Sequence, residues 1–221
     1  KEIAEVLNTH KPQVVAFQEA DSLESFNHVQ YLASQSNYPW RAHASNMNFW
    51  KFSYGTALMS VLPFTQSIEH TFAPSPPTFN KGFVLAQLEW PSSDNKNIRK
   101  VDVISVHLDF SRQSVREQQI KEMVDVLSSR TNPTIIMGDF NSEKRHEVLL
   151  TLRGFTDSFD ELIQTGDSNY FKNFDNRWTY QFKGNREQID HILISLPFTK
   201  VCVSVNIVPH RSSLLNVNVD L

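Results

Sequence analysis

The stretch PTIIMGDFNS, residues 133–142, decides how the sequence is interpreted. Its apolar run IIM is typical of a buried strand, and Asp139 and Asn141 follow the run almost at once. Because they are two residues apart, an extended chain would point both side chains to the same side. An Asx turn would explain either residue alone. The tips of strands are, however, also where a rigid sheet carries its binding and catalytic groups.

Three further predicted strands carry a polar residue near one end. Glu19 follows VVAFQ, His107 follows VISV, and Asp190 lies in QIDHILIS. Taken singly, these could be a turn cap, a hydrogen-bonded core histidine and a turn residue. Together with Asp139 and Asn141 they supply the carboxylate, amide and imidazole groups that hard cations and phosphates require. We therefore expect the five side chains to meet in one site.

The alternation of helical and strand patterns predicts one α/β domain over residues 1–221. Apolar residues recur at helical spacing at the start of the chain and again over residues 111–129. GFVLAQLEW and KVDVISVHLDF, separated by a hydrophilic turn, are typical of a hairpin. With no repeat or linker between these elements, we expect two packed sheets flanked by helices.

Composition excludes several classes of protein. The formal net charge of -3 provides no overall basic field, so contact with nucleic acid or membrane must come from a local patch. The single cysteine, Cys202, cannot form a disulfide framework and is expected to be a buried thiol. We find no apolar run long enough to span a bilayer and no signal-peptide pattern.

Five motifs occur in a fixed order between residues 14 and 195: VVAFQEAD, YGTALMS, VISVHLDF, IIMGDFNS and QIDHILIS. In this order they resemble the endonuclease/exonuclease/phosphatase superfamily. The resemblance implies a four-layered αββα sandwich of two mixed β-sheets flanked by helices. It also implies a phosphodiester hydrolase that uses Mg²⁺ or Mn²⁺ and an activated water.

The resemblance also implies a role for each candidate residue. Glu19 would hold the metal ion, and Asp139 would position or deprotonate the attacking water. Asn141 would donate to the phosphate, and His107 would contact a nonbridging oxygen. Asp190 would orient the catalytic histidine of the family. This set agrees with the chemistry, because hydrolysis of an anion needs a cation, a base and neutral donors.

Two pieces of the family pattern are missing from this sequence. The chain begins after the point where the first strand and its Asn are expected, so we expect an upstream segment, which would include any leader. Ser-Asp-His before the last strand is also not found. Three explanations stay open: a loop near residues 210–212 is absent from the sequence, His210 supplies the imidazole from a shifted loop, or the protein is a noncatalytic member.

Nucleic acid is the expected substrate. Trp50 and Tyr54 in one predicted loop, with Trp178 and Arg186 in a second, are candidates for stacking on bases and for binding phosphate. The same aromatics could anchor loops, or could enter the lipid interface in a sphingomyelinase-like phosphodiesterase. IDHIL stands where the inositol phosphatases of the superfamily have Cys-Asp-Arg, which makes that activity a poorer match. A monomer and a secreted or periplasmic location are favoured.

Overall fold

A computed structural model describes residues 2–23, 26–49, 52–92, 96–143, 152, 154–157 and 178–195, and the backbone of 200–203 and 217–220. No helix in these ranges is long and apolar enough to cross a membrane. The elements in chain order are α1 (Glu2–His10), β1 (Val14–Leu23), β2 (Phe26–Asn27), α2 (His28–Ser36), β3 (Trp40–Phe49), β4 (Phe52–Ser60), β5 (Phe64–Thr71), β6 (Gly82–Pro91), β7 (Ile98–His107), α3 (Gln113–Leu127), β8 (Thr134–Asp139), β9 (Phe155–Asp157), β10 (Tyr180–Phe182), β11 (Asn185–Glu187), β12 (Asp190–Ser195), β13 (Lys200–Val203) and β14 (Val217–Asp220).

Two principal sheets contain most of these strands. The first has the order β2-β1-β4-β3, and all of its pairings are antiparallel. The second has the order β5-β6-β7-β8-β12-β9 and is mixed, because β7 and β8 are parallel while the other pairs are antiparallel. Helix α3 connects β7 to β8, as a parallel pair requires. β10 pairs with β11, and β13 with β14, as separate hairpins.

Three apolar clusters define the four layers. One contains Leu58 of β4, Val84 of β6 and Ile135 of β8, so it lies between the sheets. A second joins Ile120 and Met123 of α3 to the opposite face of the six-stranded sheet. The third packs residues of α1 and α2 on the outer face of the four-stranded sheet. The order helices, sheet, sheet, helix confirms the predicted αββα sandwich.

The second sheet is buried on both faces, and its sequence follows from that burial. Val84 and Ala86 of β6 point to the inter-sheet core, while Phe83 and Leu85 point to α3. Successive side chains alternate between the faces of a strand, so a strand covered on both sides is apolar at every position. The predicted hairpin of β6 and β7 is confirmed.

The segment around Trp40 corrects the sequence analysis, which treated residues 38–55 as a loop. Residues 40–49 form strand β3, paired with β4 along its length. Polar side chains obscure the pattern because β3 is an edge strand, and its register shifts between Ala44 and Met47. Such a bulge breaks the two-residue alternation that identifies a strand in a sequence.

Gly138 allows β8 to pass close to β7. A Cβ added at Gly138 would lie 2.0 Å from the carbonyl oxygen of Val106. We expect Gly138→Ala to lower the free energy of unfolding by at least about 1–3 kcal/mol, the usual cost of overpacking a core. Urea unfolding measures this loss. Gly154→Ala is the control, because Gly154 has a positive φ but nothing within 4 Å of an added Cβ. Equal losses in the two variants would contradict the steric explanation.

Candidate active site

Three of the predicted residues stand side by side across the second sheet. His107 is the register partner of Asp139 in the parallel pair β7–β8, and Asp139 is the partner of Asp190 in the antiparallel pair β8–β12. Side chains an even number of residues apart on a strand share one face. Val103 and Ile135 belong to the inter-sheet core, and His107 and Asp139 each follow one of them by four residues. The side chains of this row therefore lie on the face directed toward the first sheet. The sheet thus brings His107, Asp139 and Asp190 side by side, and their functional roles stay predictions.

Asp139 is held from both sides. Its Oδ2 lies 3.6 Å from Nε2 of His107, and its Oδ1 accepts a hydrogen bond of 2.8 Å from the backbone N–H of Asn141. The Asn141 amide nitrogen Nδ2 donates to the carbonyl oxygen of Leu108 at 2.9 Å. Asn141 has a φ of 48°, a conformation that asparagine tolerates better than most residues. The turn after β8 therefore fixes Asp139 and Asn141 relative to each other.

Lys81 joins this row, and the sequence analysis did not single it out. The side chain is only 6% exposed, and its Nζ lies 3.0 Å from Nε2 of His107, to which it can donate. Nζ also lies 6.0 Å from the ring centroid of Tyr54 across the cleft. Lys81 directly precedes Gly82, the register partner of His107. Only the pairing of β6 with β7 reveals this proximity, so no local sequence signal could have found it.

Glu19 and Tyr54 form the opposite side of the cleft, on the first sheet. Glu19 has a φ of 55° and lies in a β-bulge between Phe17 and Ala20, and its side chain is exposed. Opposite the bulge is Gly55, where an added Cβ would lie 1.8 Å from the carbonyl oxygen of Ala44. Tyr54 is hydrogen-bonded to Glu19, and its pKa is raised first by burial and then by this carboxylate.

The charges in the cleft shift the pKa values in a way that suits proton transfer. Burial first, and then the charge of Asp190, raises the pKa of Asp139 to about 7, although Lys81 opposes the shift. Burial, with a contribution from Lys81, lowers the pKa of His107 to about 3, so the imidazole is neutral at neutral pH. Burial also lowers the pKa of Lys81, against the attraction of Glu19 and Asp139. A carboxyl group with a pKa near 7 is matched to the work of a general base.

The buried side chain of His191, which the sequence analysis did not single out, also holds the turn after β8 in place. His191, which is 3% exposed, has Nδ1 2.8 Å from Oδ2 of Asp157 and Nε2 2.9 Å from the carbonyl oxygen of Ser142. Both partners are acceptors, so both ring nitrogens donate and the ring is an imidazolium. Burial opposes the charge, but the bonds to Asp157 and Ser142 outweigh it and raise the pKa of His191. The ion pair therefore anchors the backbone next to Asn141.

The remaining candidates are distributed unevenly. The Thr179 hydroxyl is hydrogen-bonded to the Asp190 side chain and accepts from the Asp190 backbone N–H at 3.0 Å; the predicted residue Trp178 directly precedes Thr179 in the chain. Burial raises the pKa of Asp190, against the effect of Thr179 and His191. Arg186 is exposed on β11 opposite Gln181, and no contact in the described part of the chain brings it to the row. Trp50 and His210 lie outside the described residues.

Glu19 is the residue that could hold a metal ion. Among the described residues, no group of three or more His, Cys, Asp and Glu side chains is arranged to hold one. Mg²⁺ does not need such a cage, because it retains several waters and uses one or two carboxylates. The negative charges of Glu19 and Asp190 both raise the pKa of Asp139, and Lys81 only partly offsets them. This excess of negative charge beside an exposed carboxylate fits a hydrated divalent cation.

The cleft between the two packed sheets thus carries acids, an amide, an imidazole and a lysine, and the fold is of the phosphoesterase type. The chain belongs to the Endonuclease/Exonuclease/phosphatase family, whose sequence profile matches residues 1–213. Members of this family are phosphodiesterase hydrolases and generally use divalent metals. The family predicted from the five motifs is thus confirmed. Comparison with curated proteins gives no match.

Solved structures share the fold at low sequence identity. An endonuclease/exonuclease/phosphatase family protein from Leptotrichia buccalis C-1013-b aligns with a TM-score of 0.67 and 16% identity over 99% of this chain and 91% of that one. A β-hairpin deletion mutant of beta toxin from Staphylococcus aureus aligns with a TM-score of 0.65 and 20% identity, and the alignment covers 97% of this chain and 86% of that one. The human Nocturnin catalytic domain with bound sulfate aligns with a TM-score of 0.61 and 17% identity, and the alignment covers 91% of this chain and 74% of that one. Identities this low establish the fold alone.

Proposed function

We propose that this chain hydrolyses phosphodiester bonds with the help of Mg²⁺ or Mn²⁺, and that its substrate is nucleic acid. The observation that carries the proposal is the partly buried Asp139, with a pKa of about 7, placed between a neutral His107 and Asp190. A base, a neutral donor and a buried cation, Lys81, are the groups that attack on an anionic phosphorus requires. The sulfate bound by the structurally similar Nocturnin domain is a tetrahedral anion of the same shape.

Each residue has a defined task in this mechanism. Asp139 accepts a proton from the attacking water as the new P–O bond forms and the bond to the leaving oxygen breaks. His107 and Asn141 donate to the nonbridging oxygens, and Lys81 places a positive charge beside them. When bound at Glu19, the cation supplies Lewis-acid stabilisation of the charge that develops on phosphate. Water and the substrate enter between Tyr54 and the row.

A second candidate, a lipid phosphodiesterase, is favoured by one observation on the first sheet. Phe26, Leu23, Phe52 and Phe49 are successive register partners across β2, β1, β4 and β3, and we call them the apolar row. Three of the four are exposed. Phe52 lies two residues from Tyr54, so the row adjoins the cleft. Contiguous exposed apolar residues of this kind can enter a lipid interface.

The test is hydrolysis of four substrates with millimolar Mg²⁺ or Mn²⁺ and with EDTA: plasmid DNA, single-stranded RNA, sphingomyelin vesicles and bis-p-nitrophenyl phosphate. We expect turnover of DNA or RNA that EDTA abolishes. Turnover of the vesicles alone would select the lipid candidate. No turnover of any of the four substrates with either metal would overturn the proposal of an enzyme.

The pH dependence of turnover tests the charge coupling within the row. Activity requires ionised Asp139, so kcat/KM is expected to rise as the pH passes its pKa of about 7. Asp190→Asn removes the charge that, after burial, contributes most to raising this pKa. The acidic limb should therefore move to lower pH, by about 1 unit or more. Asp21→Asn, which changes a carboxylate paired with His28 on the first sheet, should leave the limb in place. An unmoved limb in Asp190→Asn would contradict the coupling.

A further inference from the structure

Two phenylalanine rings stand exposed on the connections that adjoin Lys81 and His107 in the chain. Phe79 is 67% exposed and Phe110 is 64% exposed, and we call them the rim rings. Phe79 belongs to the connection between β5 and β6, and Phe110 to the connection between β7 and α3. Neither ring has an aromatic partner among the described residues. Both faces of each ring are thus largely free to contact a ligand.

The two connections that carry the rim rings are tied to each other by a buried carboxylate. Oδ2 of Asp109 accepts a hydrogen bond of 2.5 Å from Oγ1 of Thr78, the residue before Phe79. Oδ1 of the same side chain accepts from the backbone N–H groups of Ser111 and Arg112 at 2.8 and 2.9 Å. Burial opposes ionisation of Asp109, but these bonds outweigh it and hold its pKa at about 2. The rings are therefore presented by a fixed scaffold.

The rim rings lie within a short reach of the residues that would bind phosphate. Phe79 precedes Lys81 by two residues, and Phe110 follows His107 by three, so the chain separates each pair by at most roughly 7–11 Å. The backbone N–H of Phe72 donates to the carbonyl oxygen of Lys81 at 3.0 Å, which closes the base of the first connection. A phosphate on the floor would thus have its neighbouring groups at the level of the rings.

Two arginines lie beside these connections, and the first of them, Arg112, is also 4.0 Å from Oδ2 of Asp109. Nη2 of Arg112 donates to the carbonyl oxygen of Ser75 at 2.6 Å, and Nη1 of Arg116 donates to that of Asp109 at 3.2 Å. Both guanidinium groups are therefore held at the base of the rim rings, and neither side chain is fully buried. Single-stranded nucleic acid carries an unpaired base beside each phosphate. A surface with phenylalanine rings for the bases and arginines for the phosphates matches this pattern. The apolar row, with its adjacent aliphatic and aromatic side chains, is a better match for lipid.

We propose that Phe79 and Phe110 stack on nucleobases that flank the scissile phosphate, and that the substrate is therefore single-stranded nucleic acid. The inference rests on the proposed function, and it adds the strandedness of the substrate to that function. Stacking on a side chain requires an unpaired base with a free face, which a continuous duplex does not offer. The arginines at the base of the rings contact the adjoining phosphates.

The test measures binding of a short single-stranded oligonucleotide that contains 2-aminopurine, in proteins carrying Asp139→Asn to prevent cleavage. Stacking quenches the fluorescence of 2-aminopurine, and fluorescence anisotropy gives the affinity. Phe79→Ala and Phe110→Ala should each weaken binding roughly 5- to 150-fold and reduce the quenching. Phe79→Trp should retain both, while Phe79→Leu should not. Ile98→Ala is the matched control, because Ile98 is also 67% exposed but begins β7 at the opposite end from His107.

The possible outcomes separate stacking from other roles of the rings. Restoration of binding by Phe79→Leu, or an equal loss in Ile98→Ala, would overturn stacking. An affinity for duplex DNA that depends equally on the rings would overturn the single-strand assignment. Loss of binding to sphingomyelin vesicles, with oligonucleotide binding unchanged, would assign the rings to a membrane. Circular dichroism of each variant verifies that it is folded.

A parallel assay distinguishes failure of this inference from failure of the proposed function. Hydrolysis of methyl p-nitrophenyl phosphate, which carries no nucleobase, reports the chemical step without stacking, and it should occur at similar rates in Ile98→Ala and in the unchanged protein. If this diester is hydrolysed but oligonucleotide affinity is unchanged by substitution of either ring, the inference is overturned and the proposed function stands. If the diester is not hydrolysed but quenching of 2-aminopurine depends on the rings, the proposed function is overturned and stacking by the rings stands.

Discussion

Asp139→Asn is expected to lower turnover by about 10²–10⁴-fold, the usual contribution of a general base, and at the same time to stabilise the fold. The first effect follows because an amide cannot accept the proton of the attacking water. The second follows because the site holds Asp139 buried beside Asp190, and the amide removes a charge that this environment disfavours. A gain in stability from loss of a catalytic group is expected where function requires an unfavourable charge.

The pH dependence of this stabilisation has a definite sign. The pKa of Asp139 is about 7 in the folded chain, against an ordinary value of 3.8, so the folded state binds more protons than the unfolded state between these values. The contribution of Asp139 to stability is therefore greatest below about pH 4 and decreases until the pH exceeds about 7. Asp139→Asn should consequently gain roughly 1–3 kcal/mol at about pH 8, and less at about pH 5.

Urea unfolding of both proteins in EDTA, at about pH 5 and about pH 8, measures the effect. Asp21→Asn is a suitable control, because its carboxylate is half-exposed and paired with His28. It should show no comparable gain. Turnover close to that of the unchanged protein would remove Asp139 from the mechanism. If Asp139→Asn is less stable than the unchanged protein at about pH 8, the folded state does not disfavour the ionised form of Asp139.

Glu19→Gln is expected to weaken binding of Mg²⁺ or Mn²⁺ by at least about 10- to 100-fold. Even a residue that only orients a metal ligand contributes this much, so loss of the ligand itself should cost no less. The amide retains the size of the side chain and can still hydrogen-bond to Tyr54, but it loses the charge that attracts the cation. Turnover at a fixed metal concentration should fall accordingly and recover in part as the metal concentration is raised.

Calorimetric titration with each cation measures the affinity without any need for catalysis. Asp21→Asn lies two residues along the same strand and again provides the matched control. If both variants bind the cation as the unchanged protein does, Glu19 is not the ligand. If both lose affinity equally, the cation responds to the general charge of β1 rather than to the position of Glu19.

Much of the fold and part of the site could be predicted because their signals are local. The strands β7, β8 and β12 contain continuous apolar runs, and the polar residue at one end of each run marks the edge where a site forms. His107, Asp139 and Asp190 were therefore placed together before any register was known, and the sheet brings them into one row. Their catalytic roles stay predictions that the variants above test.

The rest of the site depends on pairing between distant segments. Lys81 reaches His107 only because Gly82 is the register partner of that histidine. The imidazolium of His191 depends on Asp157, more than thirty residues away in the sequence. The bulge that turns Glu19 outward is set by the register of β1 against β4, which shifts between Phe17 and Ala20. None of these relations has a fixed spacing along the chain, so periodicity and motifs cannot reveal them.

The parallel pairing of β7 with β8 has a consequence for how such a site can change. His107 and Asp139 are both the last residues of their strands, and they are neighbours only because α3 returns the chain to the starting edge of the sheet. A tight turn in place of α3 would reverse β8 and send Asp139 to the far edge. The crossover therefore governs catalysis by returning the chain to the starting edge of the sheet. Substitutions at its exposed positions away from Arg116 should leave the chemistry intact.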